Sequence, residues 1–250
     1  MLLAETASQP GAYSMSHVQP EKIKFQNADF AVFHLIDDCP AHTVIQELMR
    51  NAVENAAQLT SPGRIEWFSE KVDGVRKLGL FNEGPGMSNE DLRRLMDMAS
   101  IGKTLGADHN FGQGGKVSAL KVSPAGVEYR SCKDGRVCRI VLAAERREGV
   151  DHPIYVKRRL HVVDEQGDTW ETVLDVTDEY RDRANRPLDR EWTEVVLLGK
   201  QPDQDTVAEL LPDATRTNWL IRQINQRFGM PPVCWSRQDD STSHYRSDIE

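Results

Sequence analysis

The sequence predicts an α+β fold, a two-layer sandwich in which helices cover one face of a mostly antiparallel mixed sheet. Two dipeptides, Asp73-Gly74 and Asp134-Gly135, each separate two short runs of strand-forming residues, which is the pattern of a tight β-hairpin. The predicted order is helix, hairpin, loop, helix, long polar loop, helix and then several strands. Because strands and helices do not alternate one for one, this order favours helices on one face of an antiparallel sheet.

The composition is that of a globular protein. The 250 residues, 39% hydrophobic and 28% charged, suffice for one domain or slightly more. The formal net charge of −8 argues against a protein that coats nucleic acid, because phosphate binding needs concentrated positive charge. Nucleic acid is therefore expected only through other domains or a local basic patch.

The sequence carries no signal for a membrane or for an oxidising compartment. No stretch contains the roughly 18 to 20 apolar residues that a membrane helix needs, and the first 20 residues lack a signal-peptide pattern. The four cysteines form no CxxC pair and no zinc spacing. We expect a cytoplasmic, intracellular protein with reduced thiols and no membrane association.

The first predicted elements surround one long helix. Residues 1 to 26 are rich in Ser, Gln, Pro and Gly without a period, which predicts a flexible arm. Residues 28 to 36 form an apolar run of strand type. A helix is then predicted at 39 to 59, after acidic N-cap candidates and before the break at 60 to 63.

A hairpin, a glycine loop and a lid follow. Strands are predicted at 64 to 72 and 75 to 81, and the second leads into the glycine loop at 82 to 87. Residues 88 to 91 cap a helix that we expect to reach residue 99. The polar, glycine-punctuated stretch at 100 to 111 is too long for an ordinary turn and predicts a lid, which ends where a short helix opens and runs to residue 120.

The second half of the chain is predicted to be mostly strands. The predicted elements are strands at 127 to 132 and 136 to 144, a strand pair at 154 to 163 and 168 to 176, a charged loop or short helix at 177 to 189, a strand at 191 to 198, helices at 204 to 211 and 215 to 228, and an extended segment at 231 to 235. We therefore divide the chain into an arm at 1 to 26, a globular domain at 27 to 200 and a segment at 201 to 250 that begins a further domain.

The long helix carries an unusual polar margin. Glu47, Asn51 and Asn55 recur every fourth residue and share one face beside an apolar surface. Polar groups at the edge of a buried helix are costly unless a ligand satisfies them, and such a margin can hold a metal and a water. An ordinary solvated helix face is the alternative, because Glu and Asn are common surface residues.

The second glycine cluster has the features of a phosphate site. Gly112, Gly114 and Gly115 let backbone amides approach an anion, and the helix that follows offers the positive end of its dipole. Lys116 and Lys103 could add charge. A glycine-rich helix start used only for close packing is the alternative. The tripeptide at 102 to 104 is not a P-loop, because Asp97 stands where that motif requires glycine.

The first glycine loop has the features of a base-recognition site. Asn82 ends a strand, and Gly84 and Gly86 leave room for a flat group. A carboxamide can accept from an exocyclic amine and donate to a ring nitrogen, directly or through water. The loop therefore predicts contact with a nucleobase.

Three motifs occur in a fixed order: E-x-x-x-N on a helix, N-E-G-P-G-M after a strand, and G-Q-G-G-K-V-S-A-L at the end of a lid. In this the sequence resembles the GHKL superfamily of ATPases, the Bergerat-fold domains of DNA gyrase, topoisomerase II, MutL, heat-shock chaperones, histidine kinases and MORC proteins. The resemblance is strong over residues 44 to 120 and weak to residue 198. It implies a Bergerat ATP-binding domain at 27 to 200 that hydrolyses ATP to ADP and phosphate with Mg²⁺.

The resemblance also implies residue roles. Glu47 is similar to the general base, and Asn51 to the ligand that holds Mg²⁺ to the phosphates. The residues implied to bind the nucleotide are Asn51, Asn82, Gly84, Gly86, Met87, Lys103, Thr104, Gly112, Gln113, Gly114, Gly115 and Lys116. Asn82 replaces the usual family aspartate, but the topoisomerase II version also looks like N-N-G-x-G, so ATP is the expected ligand.

The resemblance implies partners and leaves two other functions open. Closure of the lid at about 100 to 116 would drive homodimerisation or a conformational change in a larger protein with further domains after residue 250. A non-catalytic nucleotide-sensing or partner-binding module is one alternative. A histidine-kinase-type phosphotransfer domain is another, but it needs an upstream helical hairpin with a phospho-acceptor, and His34 in its strand-like run is interpreted as a packed core histidine.

Overall fold

The computed structural model describes residues 28 to 61, 63 to 95, 113 to 164, 167 to 181 and 183 to 210, with two further strands near the C terminus. The helices are α1 Ala28–Asp37, α2 Val44–Ala56, α3 Asn89–Arg93, α4 Gln113–Val122 and α5 Thr206–Leu210. The strands are β1 Ile65–Val72, β2 Val75–Glu83, β3 Gly126–Lys133, β4 Arg136–Glu145, β5 Ile154–Lys157, β6 Leu160–Asp164, β7 Gly167–Glu171, β8 Val173–Asp175, β9 Trp192–Gly199, β10 Cys234–Arg237 and β11 Ser243–Ser247. The predicted arm, lid and helix at 215 to 228 lie outside the described residues.

The described strands form one large antiparallel sheet and a small separate one. The large sheet has the order β10-β11-β1-β2-β9-β3-β4-β5, and β8 pairs with β4 beside β5. All of its described pairings are antiparallel, so the mixed character that we expected is not present in this part of the chain. Strands β6 and β7 pair only with each other. The predicted α+β class with an antiparallel sheet is confirmed.

The helices cover one face of the large sheet. Ile36 of α1, six apolar residues of α2, Leu92 of α3 and Leu120 of α4 pack with side chains from β1, β2, β3, β4 and β9 in one cluster. The apolar positions predicted on the long helix supply this contact, since Ile45, Leu48 and Met49 are all buried. The apolar side of α2 therefore packs on the sheet, and the polar row of Glu47, Asn51 and Asn55 borders this contact.

The opposite face is covered by the irregular segment 176 to 192. Val176 and Tyr180 pack there with Phe81 and Trp192 in a second apolar cluster. Arg186, which is 3% exposed, donates hydrogen bonds to carboxylates from two strands, Glu66 and Glu194. Segment 177 to 189 was predicted as a charged loop or short helix, and it begins with the 3₁₀ turn Thr177–Tyr180.

Residues 28 to 36 were predicted as a strand, and this prediction is wrong because they belong to α1. Val32 and Ile36, four residues apart, pack against the core, which is helical spacing. A short continuous apolar run does not distinguish a strand from a helix by periodicity. His34 is exposed and its ring contacts Phe30, so the interpretation as a packed core histidine is also wrong.

Other element boundaries differ from the prediction. The helix predicted at 39 to 59 is a 3₁₀ turn, Ala41–Thr43, followed by α2. The helix expected to reach residue 99 is the single turn α3, which opens with the predicted Ser88 capping box. Residues 154 to 163 and 168 to 176 each break into two strands, because β5 and β8 pair with β4 while β6 and β7 pair with each other.

Among the helices of the described part of the chain, none is long and apolar enough to cross a bilayer. The thiols of Cys39, Cys132 and Cys138 are free.

Candidate functional site

The polar row of α2 contacts both glycine clusters. A Cβ built on Gly114 would lie closer than 3.0 Å to the Glu47 carboxylate, and one on Gly115 would overlap the Asn51 amide in the same way. Real Cβ atoms essentially never make such short contacts. The glycines at the start of α4 therefore leave room for the side chains of α2, and the row predicted from helical spacing faces the predicted phosphate loop.

The next residue of the row holds the other glycine loop. Asn55 Nδ2 donates a hydrogen bond of 3.5 Å to the Pro85 carbonyl, and a Cβ on Gly84 would lie 2.8 Å from the Asn55 amide. Gly84 also has a φ of +154°, which side-chain-bearing residues rarely adopt. The resemblance implied no nucleotide-binding role for Asn55, whereas the structure places its side chain against the first glycine loop, at Gly84 and Pro85.

A cavity of about 210 Å³ lies between α2, α4 and the centre of the sheet. Its walls are mainly apolar, with a few polar groups among them. The lining residues are Leu48, Asn51, Ala52, Asn55, Gln58, Leu80, Asn82, Pro85, Met87, Leu95, Lys116, Tyr129, Thr193 and Val195. Four predicted nucleotide-binding residues are thus brought together, namely Asn51, Asn82, Met87 and Lys116. Mostly apolar walls with few polar groups are typical of small-molecule sites.

The first glycine loop, residues 82 to 87, is called the base loop below, and it is held in place by the sheet beneath it. A Cβ on Gly86 would overlap the Cys132 carbonyl of β3, and the N–H of Gly86 donates a 2.9 Å hydrogen bond to Glu191 Oε2. The next N–H, that of Met87, donates to Ser131 Oγ at 2.8 Å. Contacts within the protein thus explain both Gly84 and Gly86, and they hold Met87 at the cavity.

Asn82 and Thr193 are cross-strand neighbours at the floor of the cavity. They are paired in the register of β2 with β9, and Asn82 is 6% exposed. Asn82 Nδ2 donates to the Glu83 carbonyl at 3.3 Å, which leaves Oδ1 as the acceptor of this carboxamide. Thr193 Oγ1 shares a 2.9 Å hydrogen bond with Ser131 Oγ. The floor therefore offers a fixed acceptor beside a hydroxyl.

Two polar groups in the cavity have no partner among the residues that the structure describes. Asn51 Oδ1 is buried and accepts no hydrogen bond from the described residues. Burial lowers the pKa of Lys116, and no described carboxylate pairs with its ammonium. Buried polar atoms are normally satisfied, so an orphaned acceptor and an unpaired cation in one cavity indicate a ligand that supplies both partners.

Glu47 lies at the margin of the cavity in an ion pair. Its carboxylate accepts a short hydrogen bond from Arg50 Nη2, and Arg50 Nε lies 3.8 Å from Glu54 Oε1. The Glu47 side chain is 15% exposed and that of Arg50 is 37% exposed. The predicted general base is therefore within reach of water and beside the start of α4.

The donor set fits magnesium held mainly by a ligand. Magnesium prefers oxygen donors and is usually held by one or two protein groups, waters and substrate phosphates. Asn51 Oδ1 is such an oxygen, and no described residue donates a hydrogen bond to it. Among the described residues, no group of three His, Cys, Asp or Glu side chains could hold a metal alone.

Some predicted residues cannot be placed, and ten of the fourteen lining residues, Tyr129 and Thr193 among them, were not predicted as site residues. Lys103, Thr104 and Gly112 lie outside the described residues, and Gln113 begins α4 with an undescribed side chain. Tyr129 and Thr193 line the cavity but belong to strands outside the three motifs. The only sequence signal for Thr193 is a polar residue on the inward face of a buried strand.

No protein-family model matches the chain, and a search of curated proteins finds no match. The functional argument therefore depends on the residues of the site.

Proposed function

We propose that this chain is an ATP-binding and ATP-hydrolysing domain of the GHKL type with a Bergerat-like fold. The observation that carries the proposal is the contact of one polar row on α2 with both glycine loops, Glu47 with Gly114, Asn51 with Gly115 and Asn55 with Gly84. A ligand that spans the two loops needs a flat group at one end and an anion at the other. A nucleoside triphosphate has both.

The base end favours an adenine ring. Leu48, Ala52 and Leu80 supply apolar walls for a flat ring. Because Asn82 Nδ2 is engaged with the Glu83 carbonyl, Oδ1 remains to accept a hydrogen bond. Adenine presents an exocyclic amine there, whereas guanine presents a carbonyl that would oppose an acceptor. In this orientation the Asn82 carboxamide accepts the hydrogen bond that the aspartate usual in the GHKL superfamily would accept.

The phosphate end combines three favourable features. Helix α4 begins beside Glu47 and Asn51, and the N-terminus of a helix attracts anions through its free N–H groups and its dipole. Gly114 and Gly115 leave the backbone accessible. The unpaired ammonium of Lys116 gains a counter-charge when phosphate binds.

The side chains at the margin fit hydrolysis. Water attacks the terminal phosphorus, its proton passes to the Glu47 carboxylate, and the bond to the bridging oxygen breaks with its electron pair remaining on ADP. Asn51 Oδ1 would hold Mg²⁺, whose chemistry when bound is neutralisation of phosphate charge. Lid closure and homodimerisation are part of the proposal as the resemblance implies them. The lid at 100 to 111 lies outside the described residues.

A nucleotide-sensing module without turnover is the second candidate. The ion pair of Glu47 with Arg50 favours it, because a carboxylate engaged by an arginine is less free to accept a proton from water.

Turnover separates these two functions. Mg-dependent ATP binding and phosphate release are measured for the wild type, Glu47→Gln and the exposed control Glu148→Gln. We expect Glu47→Gln to bind ATP normally and to hydrolyse it at least about 100-fold more slowly, because general base catalysis contributes at least this factor. Binding without hydrolysis in the wild type at high protein concentration supports the sensing module, and absence of binding rejects both functions.

A further inference from the structure

Arg50 stands beside both the predicted base and the predicted phosphate loop. Its Nη2 donates to Glu47, and the same atom lies 3.4 Å from the position that a Cβ on Gly114 would occupy. The guanidinium therefore lies against the first turn of α4. The Arg50 side chain is 37% exposed, so it is partly accessible to solvent.

The charges near this point do not balance a triphosphate. Glu47, Arg50, Glu54 and Lys116 together sum to zero formal charge. Lys116 lines the cavity together with Asn51, whereas Arg50 contacts Glu47 at its margin. Arg50 is thus the cation, among the described residues, that stands at the predicted reacting end.

Phosphoryl transfer is accelerated by positive charge placed at the terminal phosphate, because charge shifts to the leaving oxygen as the bond breaks. We propose that Arg50 is a further catalytic residue that supplies this charge from α2 itself. A guanidinium has five N–H donors, so it can contact a phosphate oxygen while one donor remains on Glu47. Arg50 then contacts the terminal phosphate and orients the base. This inference rests on the proposed function.

A simple surface ion pair is the alternative. Charged pairs three residues apart on a helix stabilise it only weakly. Such a pair would affect helix stability, but it would not distinguish a transition-state mimic from a ground-state ligand. That difference provides the test.

The experiment compares the wild type with Arg50→Gln, Arg50→Lys and Arg147→Gln, the last being an exposed arginine of the loop after β4. For each protein we measure single-turnover ATP hydrolysis, affinity for Mg-ADP, and affinity for Mg-ADP with aluminium fluoride, which mimics the transferring phosphoryl group. Thermal unfolding of each variant verifies that it is folded.

We expect Arg50→Gln to hydrolyse ATP at least about 100-fold more slowly, because arginine fingers contribute about 10³- to 10⁵-fold to turnover. Its affinity for the aluminium fluoride complex should fall by a similar factor, while Mg-ADP affinity stays within about threefold. Arg50→Lys should restore part of both losses, and Arg147→Gln should match the wild type.

Three results overturn the inference while leaving the proposed function intact. These are normal or faster hydrolysis by Arg50→Gln, equal losses of affinity for Mg-ADP and its aluminium fluoride complex, and unfolding of both Arg50 variants at assay temperature while the wild type hydrolyses ATP. A wild type that binds ATP without hydrolysing it, or does not bind it, rejects the catalytic reading of Glu47 and Arg50 together.

Discussion

The carboxylate of Glu191 accepts a hydrogen bond of 2.9 Å from the backbone N–H of Gly86. The carbonyl of Glu191 also accepts one of 3.3 Å from Gly84 N–H, so this residue holds the base loop at two points. Glu191 immediately precedes β9, whose second residue is Thr193 at the cavity floor. The same short stretch therefore fixes the loop and forms part of the floor before any ligand binds.

Removing this carboxylate should loosen the base loop. Hydrogen bonds to charged groups contribute about 1.5 to 3 kcal/mol, so we expect Glu191→Ala to weaken ATP binding by about tenfold or more. The neighbouring exposed residue supplies the control Asp189→Ala. ATP titration by calorimetry measures the change, and equal affinities of the two variants would show that the loop keeps its shape without Glu191.

A methyl group at Gly115 should displace Asn51. Alanine normally stabilises a helix relative to glycine by about 0.5 to 1 kcal/mol. In α4 its Cβ would overlap the Asn51 amide, so Gly115→Ala should gain no stability and should lose at least about tenfold in Mg-ATP affinity. Gly74→Asn, in an open turn that asparagine tolerates, is the control. Increased stability with unchanged affinity would contradict the contact.

The ion pair of Arg186 with Glu194 should be essential for stability. Removing one member of a buried pair costs about 3 to 5 kcal/mol, because the other charge remains buried. We expect this cost for Arg186→Met and less than about 1 kcal/mol for Arg183→Met, whose arginine is exposed over the Tyr180 ring. Urea unfolding measures both, and Arg186→Met with Glu194→Gln should recover part of the loss. Similar free energies of unfolding for the two single variants would refute this role.

Stability and ATP affinity should depend on pH through Lys116. Burial lowers the pKa of this lysine from 10.5. In the window just below 10.5 the unfolded chain therefore binds more protons than the folded one, and the free energy of unfolding rises with pH. Phosphate favours the charged ammonium, so ATP affinity falls with pH over the same window.

The variant Lys116→Met should remove the contribution of this lysine to both pH dependences, whereas Lys71→Met, at an exposed lysine, should keep them. Urea unfolding without nucleotide and ATP titration at about pH 8, 9 and 10 measure the two effects. Identical pH profiles for wild type and Lys116→Met would contradict the assignment.

Features that depend on neighbouring residues could be predicted from the sequence. Asp73 and Asp134 have φ of 51°, and the glycines that follow have φ of 81° and 75°, as Asp-Gly hairpin turns require. The polar row of α2 follows from the helical period in the same way, because its members are separated by single turns.

Features that depend on distant strands could not be predicted. Strand β9 lies between β2 and β3 although it follows both much later in the chain, and this order brings Thr193 to Asn82. Arg186 lies in a charged segment that resembled a solvated loop, yet it is buried because two strands supply its carboxylates. Trp67 and Trp192 are buried, but Trp170 is 61% exposed on the small hairpin.

The polar row also determines the length of ligand that the site accepts. Glu47 and Asn55 contact the two glycine loops from positions that the rise of an α-helix separates by about 12 Å. A free nucleobase or inorganic phosphate is too short to reach both loops, whereas a molecule with a base at one end and phosphates at the other can do so. In the proposed ATP site, α2 would therefore select ligands by their length as well as by their chemistry, and we expect adenine or phosphate alone to compete poorly with ATP.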